Sequence, residues 1–138
     1  MEIVNRDILE RVPLLKGGGP VLLHNLAMML NPVVYEAGET IIRQGEMGEE
    51  MYFISRGQAE AHDAEGKVLR TLTDGEFFGE ISLLLAQPRS ASVRAATTCD
   101  LFVLHKADFD RALKDFPQFA ESLRETVKKR YSAPAAGP

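Results

Sequence analysis

The chain has 138 residues, of which 45% are hydrophobic and 26% charged, a composition typical of one soluble globular domain with its own core. The net charge of −4 disfavours non-specific nucleic-acid binding, which needs a basic surface, but it leaves room for a local positive site for a small anion. The single cysteine, Cys99, excludes an internal disulfide and favours a reducing compartment, and no apolar run is long enough to span a bilayer.

Two helices are predicted at the start of the chain. Apolar residues repeat every four positions over 3–12, and Pro13 ends this helix. A glycine-rich break at 16–20 separates it from a second helix over 21–30. The apolar face of the second helix is formed by Leu22, Leu26, Met29 and Leu30.

The pattern changes to short β-rich runs between Val33 and His105. Glycines separate these runs, and "DAEG" at 63–66 is typical of a hairpin turn in which Gly66 takes a positive φ. The predicted strands are "IIRQG", "MYFISRG", "QAEAHD", "KVLRTL", "ASVRAA" and "DLFVLH". Short strands at this spacing predict a small β-barrel or jelly roll.

Helical periodicity returns after the β-rich region. One helix is predicted over 106–116, and a second follows over 118–131 after a kink at Pro117. The composition of 132–138 predicts a disordered tail.

The resulting fold class is α+β, with one domain over 1–131. An antiparallel β-roll of jelly-roll type, 32–105, is flanked by an N-terminal helical part, 1–31, and by hinge and lid helices over 106–131.

One apolar stretch, "FFGEISLLLAQPRSA" at 77–91, contains an acid, Glu80, and a base, Arg89. Gly79 would let a short helical turn begin close to a ligand, and the free N–H groups of such a turn suit a phosphate. The Arg89 guanidinium offers a bidentate fork to phosphate oxygens, Ser90 adds a hydroxyl, and Glu80 can accept a hydrogen bond from a sugar hydroxyl. The spacing alone is equally compatible with a structural ion pair between Glu80 and Arg89.

This stretch resembles the phosphate-binding cassette of cyclic-nucleotide-binding domains, whose pattern is F-G-E-aliphatic-small-L followed by R-[S/T]-A. The matching residues run from Phe78 to Leu83 and from Arg89 to Ala91. The likeness extends over 3–131, and "NRDILERVPLL" is similar to the entry helix of cyclic-nucleotide-gated channels, particularly bacterial potassium channels.

The resemblance implies a role for each part of the site. Backbone N–H groups near Gly79 meet the cyclic phosphate with Arg89, Ser90 contacts the phosphate or the purine, and Glu80 holds the ribose 2′-OH. The purine is expected against an apolar wall of the roll, under the last helix, where Arg130 is either a solvated charge or stacks on the base. The implied ligand-binding residues are Phe78, Gly79, Glu80, Ile81, Ser82, Arg89, Ser90, Ala91, Val68, Leu69, Leu123, Val127 and Arg130.

The implied function is that of a sensor and not of an enzyme. It has no cofactor and no metal, and its regulatory ligand is cAMP, with cGMP also binding because Ser90 retains a hydroxyl. The implied parent is a homotetrameric ion channel at the cytoplasmic face of the plasma (inner) membrane, whose isolated domain is a soluble monomer. A cAMP-responsive regulator or kinase-type protein is the alternative. A cupin-like enzyme is disfavoured because His24, His62 and His105 are far apart in sequence.

Overall fold

The computed structural model describes residues 9, 10, 12–15 and 18–131, and leaves out the side chain of Tyr131. Of the first predicted helix, Leu9 and Glu10 are helical, and its first six residues lie outside the described residues. The predicted tail, 132–138, lies outside them as well.

The described residues form a 3-10 turn and four helices. The turn is Pro13–Leu15, and the helices are α1 (Gly19–Met29), α2 (Glu80–Leu85), α3 (Lys106–Asp115) and α4 (Pro117–Tyr131). The break predicted over 16–20 is too long, because α1 begins at Gly19 and Pro20 lies in its first turn, where a proline costs no helical hydrogen bond. Pro117 occupies the same kind of position in α4.

Within the described part of the chain, eight strands form two four-stranded antiparallel sheets. They are β1 (Asn31–Tyr35), β2 (Thr40–Ile42), β3 (Glu50–Arg56), β4 (Ala59–His62), β5 (Val68–Leu72), β6 (Phe77–Phe78), β7 (Ser92–Ala95) and β8 (Cys99–His105). The orders are β1-β8-β3-β6 and β2-β7-β4-β5. Pro32 is tolerated because β1 lies at a sheet edge, where a missing N–H breaks no ladder. The prediction of an α+β fold built on a β-roll is confirmed.

The central strands of the first sheet, β3 and β8, are buried on both faces. In β3, Tyr52 and Ile54 point into the interior of the roll, whereas Met51 and Phe53 belong to a second core that the sheet shares with the helices. This two-sided burial explains why "MYFI" reads as a continuous apolar run and not as an alternating one. The helices are thereby fixed to the outside of the roll, close to the stretch that carries Glu80 and Arg89.

Candidate functional site

The short helix α2 follows β6 through Gly79, whose φ of +89° is strained for any other residue. A Cβ at this position would also lie 2.9 Å from Nη1 of Arg89 and 3.1 Å from the carbonyl oxygen of Glu50. Gly79 therefore serves both the turn and the close approach of the Arg89 side chain.

Arg89 is a buried cation, with 5% of its surface exposed. Its Nη1 and Nη2 donate to the carbonyl oxygens of Gly79 and Glu50, both at 2.7 Å. A guanidinium has five N–H donors, so three remain without a hydrogen-bond partner among the described residues. Burial lowers the pKa of Arg89, but an arginine stays protonated in proteins. Its Nη2 also lies 4.0 Å from Oε1 of Glu50, whose side chain is 35% exposed. The site therefore holds a buried positive charge with one distant carboxylate and free donors, which suits an anion.

Backbone hydrogen bonds hold Arg89 in place. Its N–H donates to the carbonyl oxygen of Glu46 at 2.8 Å, and its carbonyl oxygen accepts from Gly45 at 2.9 Å. The loop between β2 and β3 is thus paired with the loop between α2 and β7, and the two loops enclose the guanidinium.

Glu80 has no exposed surface. Nη1 of Arg130, on α4, lies 3.3 Å from its Oε1 and 3.2 Å from its Oε2. The Arg130 side chain is 6% exposed, and its Cζ lies 4.4 Å from the centroid of the Phe77 ring. Burial raises the pKa of the Glu80 carboxyl above its ordinary value, and the Arg130 guanidinium offsets only part of this rise.

These contacts decide two alternatives that the sequence left open. Glu80 and Arg89 do not form an ion pair, since Glu80 pairs with Arg130 and Arg89 is held by backbone carbonyls. Arg130 is not a solvated charge. The Glu80–Arg130 pair had no sequence signal, because its members are 50 positions apart on elements whose packing the sequence does not specify.

The other residues of the stretch have distinct environments. Phe78 is buried in the roll and stacks on Tyr52, with ring centroids 5.1 Å apart. The Ser82 hydroxyl is buried, accepts from the N–H of Gly48 at 2.8 Å and donates to the carbonyl oxygen of Gln87. It is therefore committed within the protein. Ile81 is half-buried, Ser90 is exposed and Ala91 is buried.

Four predicted contacts lie outside the roll interior in this structure. Val68 is exposed and Leu69 is half-buried, and the residue of β5 that packs inside the roll is Leu72. Leu123 and Val127 pack in the core that the helices share with the first sheet. Of the predicted lid residues, Arg130 hydrogen-bonds the predicted ligand-binding residue Glu80.

Sequence reasoning missed Gly48, Glu50 and Phe77. Gly48, in the loop between β2 and β3, and Glu50, the first residue of β3, flank Arg89, and Phe77 supports Arg130. The sequence predicts that the glycines of the β-rich region separate strands at turns. That interpretation holds for Gly66, whose φ is +88°, but it does not explain Gly48, which is absent from the positive-φ glycines.

A groove of about 680 Å³ lies beside the site, between the 3-10 turn, the turn before β6 and α4. Its lining includes Phe77 and Arg130 but neither Glu80 nor Arg89, so it adjoins the site without forming it. Across the residues that the structure describes, no three His, Cys, Asp or Glu side chains are grouped as a metal ion would require. Nor does any described helix have the length and apolar character to cross a membrane.

Comparison with known proteins identifies related sequences. A family model described as "Cyclic nucleotide-binding domain" matches residues 32–116. A cyclic nucleotide-gated potassium channel of Rhizobium etli is 35% identical over 130 residues, which is 94% of this chain and 36% of the relative. A potassium/sodium hyperpolarization-activated cyclic nucleotide-gated channel 1 of Homo sapiens is 38% identical over 91% of this chain and 14% of the relative. The chain thus spans about a third or less of these relatives.

Solved structures share the fold. One described as "Sp-2Cl-cAMPS bound to PKAR CBD2" has a TM-score of 0.80 at 33% identity, over 93% of this chain and 87% of that one. The regulatory domain of Toxoplasma gondii PKA with cAMP has a TM-score of 0.81 at 26% identity, over 91% and 50%.

Proposed function

Because the chain belongs to the cyclic nucleotide-binding domain family, we propose that it binds a purine cyclic nucleotide, cAMP or cGMP, as a regulatory ligand at the site of Arg89 and Glu80. The observation that carries this proposal is the buried guanidinium of Arg89, which is held by two carbonyls and keeps free donors. The Glu50 carboxylate lies 4.0 Å from Nη2, too far for a hydrogen bond, so the buried cation keeps unused donors that the cyclic phosphate would accept from. Backbone N–H groups from Gly79 to Ser82 and the exposed Ser90 complete the phosphate contacts.

Glu80 takes the ribose 2′-OH in this proposal. A carboxylate with no exposed surface is not accessible to a hydroxyl, so its cover must shift when the ligand enters. Arg130 on α4 is part of that cover. Nucleotide binding therefore rearranges α4, and this movement is how the domain reports the ligand. Leu123 and Val127 reach the purine only in that rearranged state, whereas Val68 and Leu69 remain expected parts of its wall.

Calorimetry with cAMP, cGMP and 2′-deoxy-cAMP tests the binding mode. We expect both ribonucleotides to bind, cAMP more tightly, and the deoxy analogue to bind more weakly because Glu80 loses its partner. Arg94→Ala is the matched control for Arg89→Ala, since Arg94 pairs with Glu60 on the roll and its side chain is 37% exposed. We expect this control to bind cAMP as the wild type does. If neither cAMP nor cGMP binds, the proposed function is refuted. If cAMP and its 2′-deoxy analogue bind equally well, the role of Glu80 is refuted.

The domain senses the nucleotide and does not convert it. No step of catalysis is assigned to Glu80, which is engaged by Arg130, or to Arg89, which is protonated. Prolonged incubation of the protein with cAMP should return the nucleotide intact by chromatography. Accumulation of AMP would contradict the sensor role.

The effector that we propose is an ion channel. Its attached pore would place this domain at the cytoplasmic face of the membrane and make the parent a homotetramer, with the isolated domain a monomer. The similarity to named channels over 91–94% of this chain supports this assignment. Potassium flux into liposomes containing the full-length protein should change with cAMP. Flux that does not respond to cAMP, with nucleotide binding intact, would favour the alternative of a kinase-type or other cAMP-responsive regulator.

A further inference from the structure

The backbone conformation of Gly48 does not account for a glycine at this position. It is buried in the loop between β2 and β3, and its φ is not positive. A side chain at this position would therefore meet no backbone strain. The requirement for glycine must come from what surrounds the position.

The neighbour of Gly48 is the guanidinium of Arg89. A Cβ on Gly48 would lie 2.7 Å from both Nε and Nη1, and closer still to Cζ, whereas a Cβ on Gly79 would lie 2.9 Å from Nη1. The two glycines thus border the same guanidinium. Because the three atoms nearest to such a Cβ all belong to the end of the Arg89 side chain, the fold can accommodate a methyl group there by displacing Arg89.

A hydrogen bond to Ser82 fixes the position of Gly48. Its N–H donates to the Ser82 hydroxyl at 2.8 Å, and that hydroxyl donates to the carbonyl oxygen of Gln87, at the start of the segment that carries Arg89. Ser82 therefore connects the loop that borders the guanidinium to the loop that carries it.

We propose that Gly48, held by Ser82, is a positioning residue that keeps the Arg89 guanidinium against the carbonyls of Gly79 and Glu50, ready for a cyclic phosphate. The inference rests on the proposed function for its ligand. It makes the site preorganised for the phosphate, since the carbonyls of Gly79 and Glu50 and the position of Gly48 orient the guanidinium. Glycine at 48 is then required for affinity and dispensable for folding.

The test is a double-mutant cycle of Gly48→Ala and Arg89→Ala, read by calorimetry with cAMP and by thermal unfolding. Gly48→Ala should weaken binding at least tenfold with little change in melting temperature. In the Arg89→Ala background the same substitution should have no further effect on affinity, because the group it displaces is gone. Gly66→Ala is the control with the opposite pattern: its φ is +88° with open space around it, so it should lower the melting temperature and leave affinity unchanged.

A spectroscopic measurement isolates positioning from structure. The Nε–H resonance of Arg89 should be shifted or lost in Gly48→Ala, and Ser82→Ala should move it in the same direction while the protein stays folded. Unchanged affinity and an unchanged resonance in Gly48→Ala would overturn the inference, whereas a wild-type protein that binds no nucleotide would refute the proposed function instead. If Gly48→Ala unfolds the protein, recovery of folding in the Arg89→Ala background supports the clash, and unfolding in both backgrounds overturns it.

Discussion

The ion pair between Glu80 and Arg130 gives the sharpest prediction for the ligand-free domain. Arg130→Ala removes two contacts of 3.2–3.3 Å to the Glu80 carboxylate and a cation–π contact of 4.4 Å to Phe77. The buried Glu80 carboxylate then loses its ion-pair partner. Breaking a buried pair typically costs about 3–5 kcal/mol. These distances exceed those of tight charged hydrogen bonds, and α4 can fray to admit water, so we expect a loss of about 1–3 kcal/mol.

A double-mutant cycle with Glu80→Gln separates the pair from its surroundings. We expect a coupling of about 1–2 kcal/mol in the free domain, against at most 1 kcal/mol for an exposed pair. Urea unfolding followed by far-UV circular dichroism suits this chain, which has no tryptophan. Arg124→Ala, an exposed position on the same helix, is the control and should change the unfolding free energy by less than about 0.5 kcal/mol.

The same cycle predicts the ligand response. If the ribose takes Glu80 from Arg130, the pair loses its coupling on binding, and linkage requires the effects of the two substitutions on nucleotide affinity to be non-additive by that amount. A coupling near zero in the free domain would show that the pair does not form. Additive effects on affinity, with the pair present in the free domain, would show that the nucleotide leaves it intact.

Further outcomes follow from the same geometry. Arg89→Ala should weaken cAMP binding by about 2–4 kcal/mol, roughly 30- to 700-fold in Kd by calorimetry, because it strips the phosphate of its buried counter-charge, and an unchanged Kd would exclude Arg89 from the site. The raised pKa of Glu80 means that the folded domain holds its proton to higher pH than the unfolded chain. The unfolding free energy of wild type relative to Glu80→Gln should therefore fall as pH rises from the ordinary glutamate value, about 4.3, towards the raised value, and be flat on either side. A difference that does not vary with pH would contradict the burial of that carboxyl.

The sequence predicted those parts of the fold and site that depend on local pattern. The β-roll, the short helix after Gly79 and the kink at Pro117 each follow from turn chemistry or periodicity within a few residues. The purine contacts expected of Val68 and Leu69 stay a prediction, since Val68 is exposed and Leu69 half-buried, and "KVLRTL" does not say which face of β5 turns inward. Leu72, the buried member of that strand, is identified only by its packing.

The contacts of the two charged residues could not be read from the sequence because each depends on elements that are distant in the chain. Arg89 meets the backbone of Glu50, 39 positions away, and Glu80 meets a side chain 50 positions away. The separation of nine residues was equally compatible with a direct pair and with a ligand site. In the fold, Glu80 pairs with Arg130, and Arg89 donates to the carbonyl oxygens of Gly79 and Glu50.

The two charged residues of the site, Arg89 and Glu80, therefore differ in what holds them. Arg89 is fixed by carbonyls, which do not move with α4, whereas Glu80 is held by a residue of α4. A ligand that meets only the phosphate end would gain affinity from a preorganised charge without disturbing the helix. In the proposed function, a ligand that also meets Glu80 competes with Arg130, and part of its binding energy is spent on moving α4. This proposal predicts that substitutions at Arg89 weaken binding while preserving the helix response at saturation, and that substitutions at Arg130 alter that response.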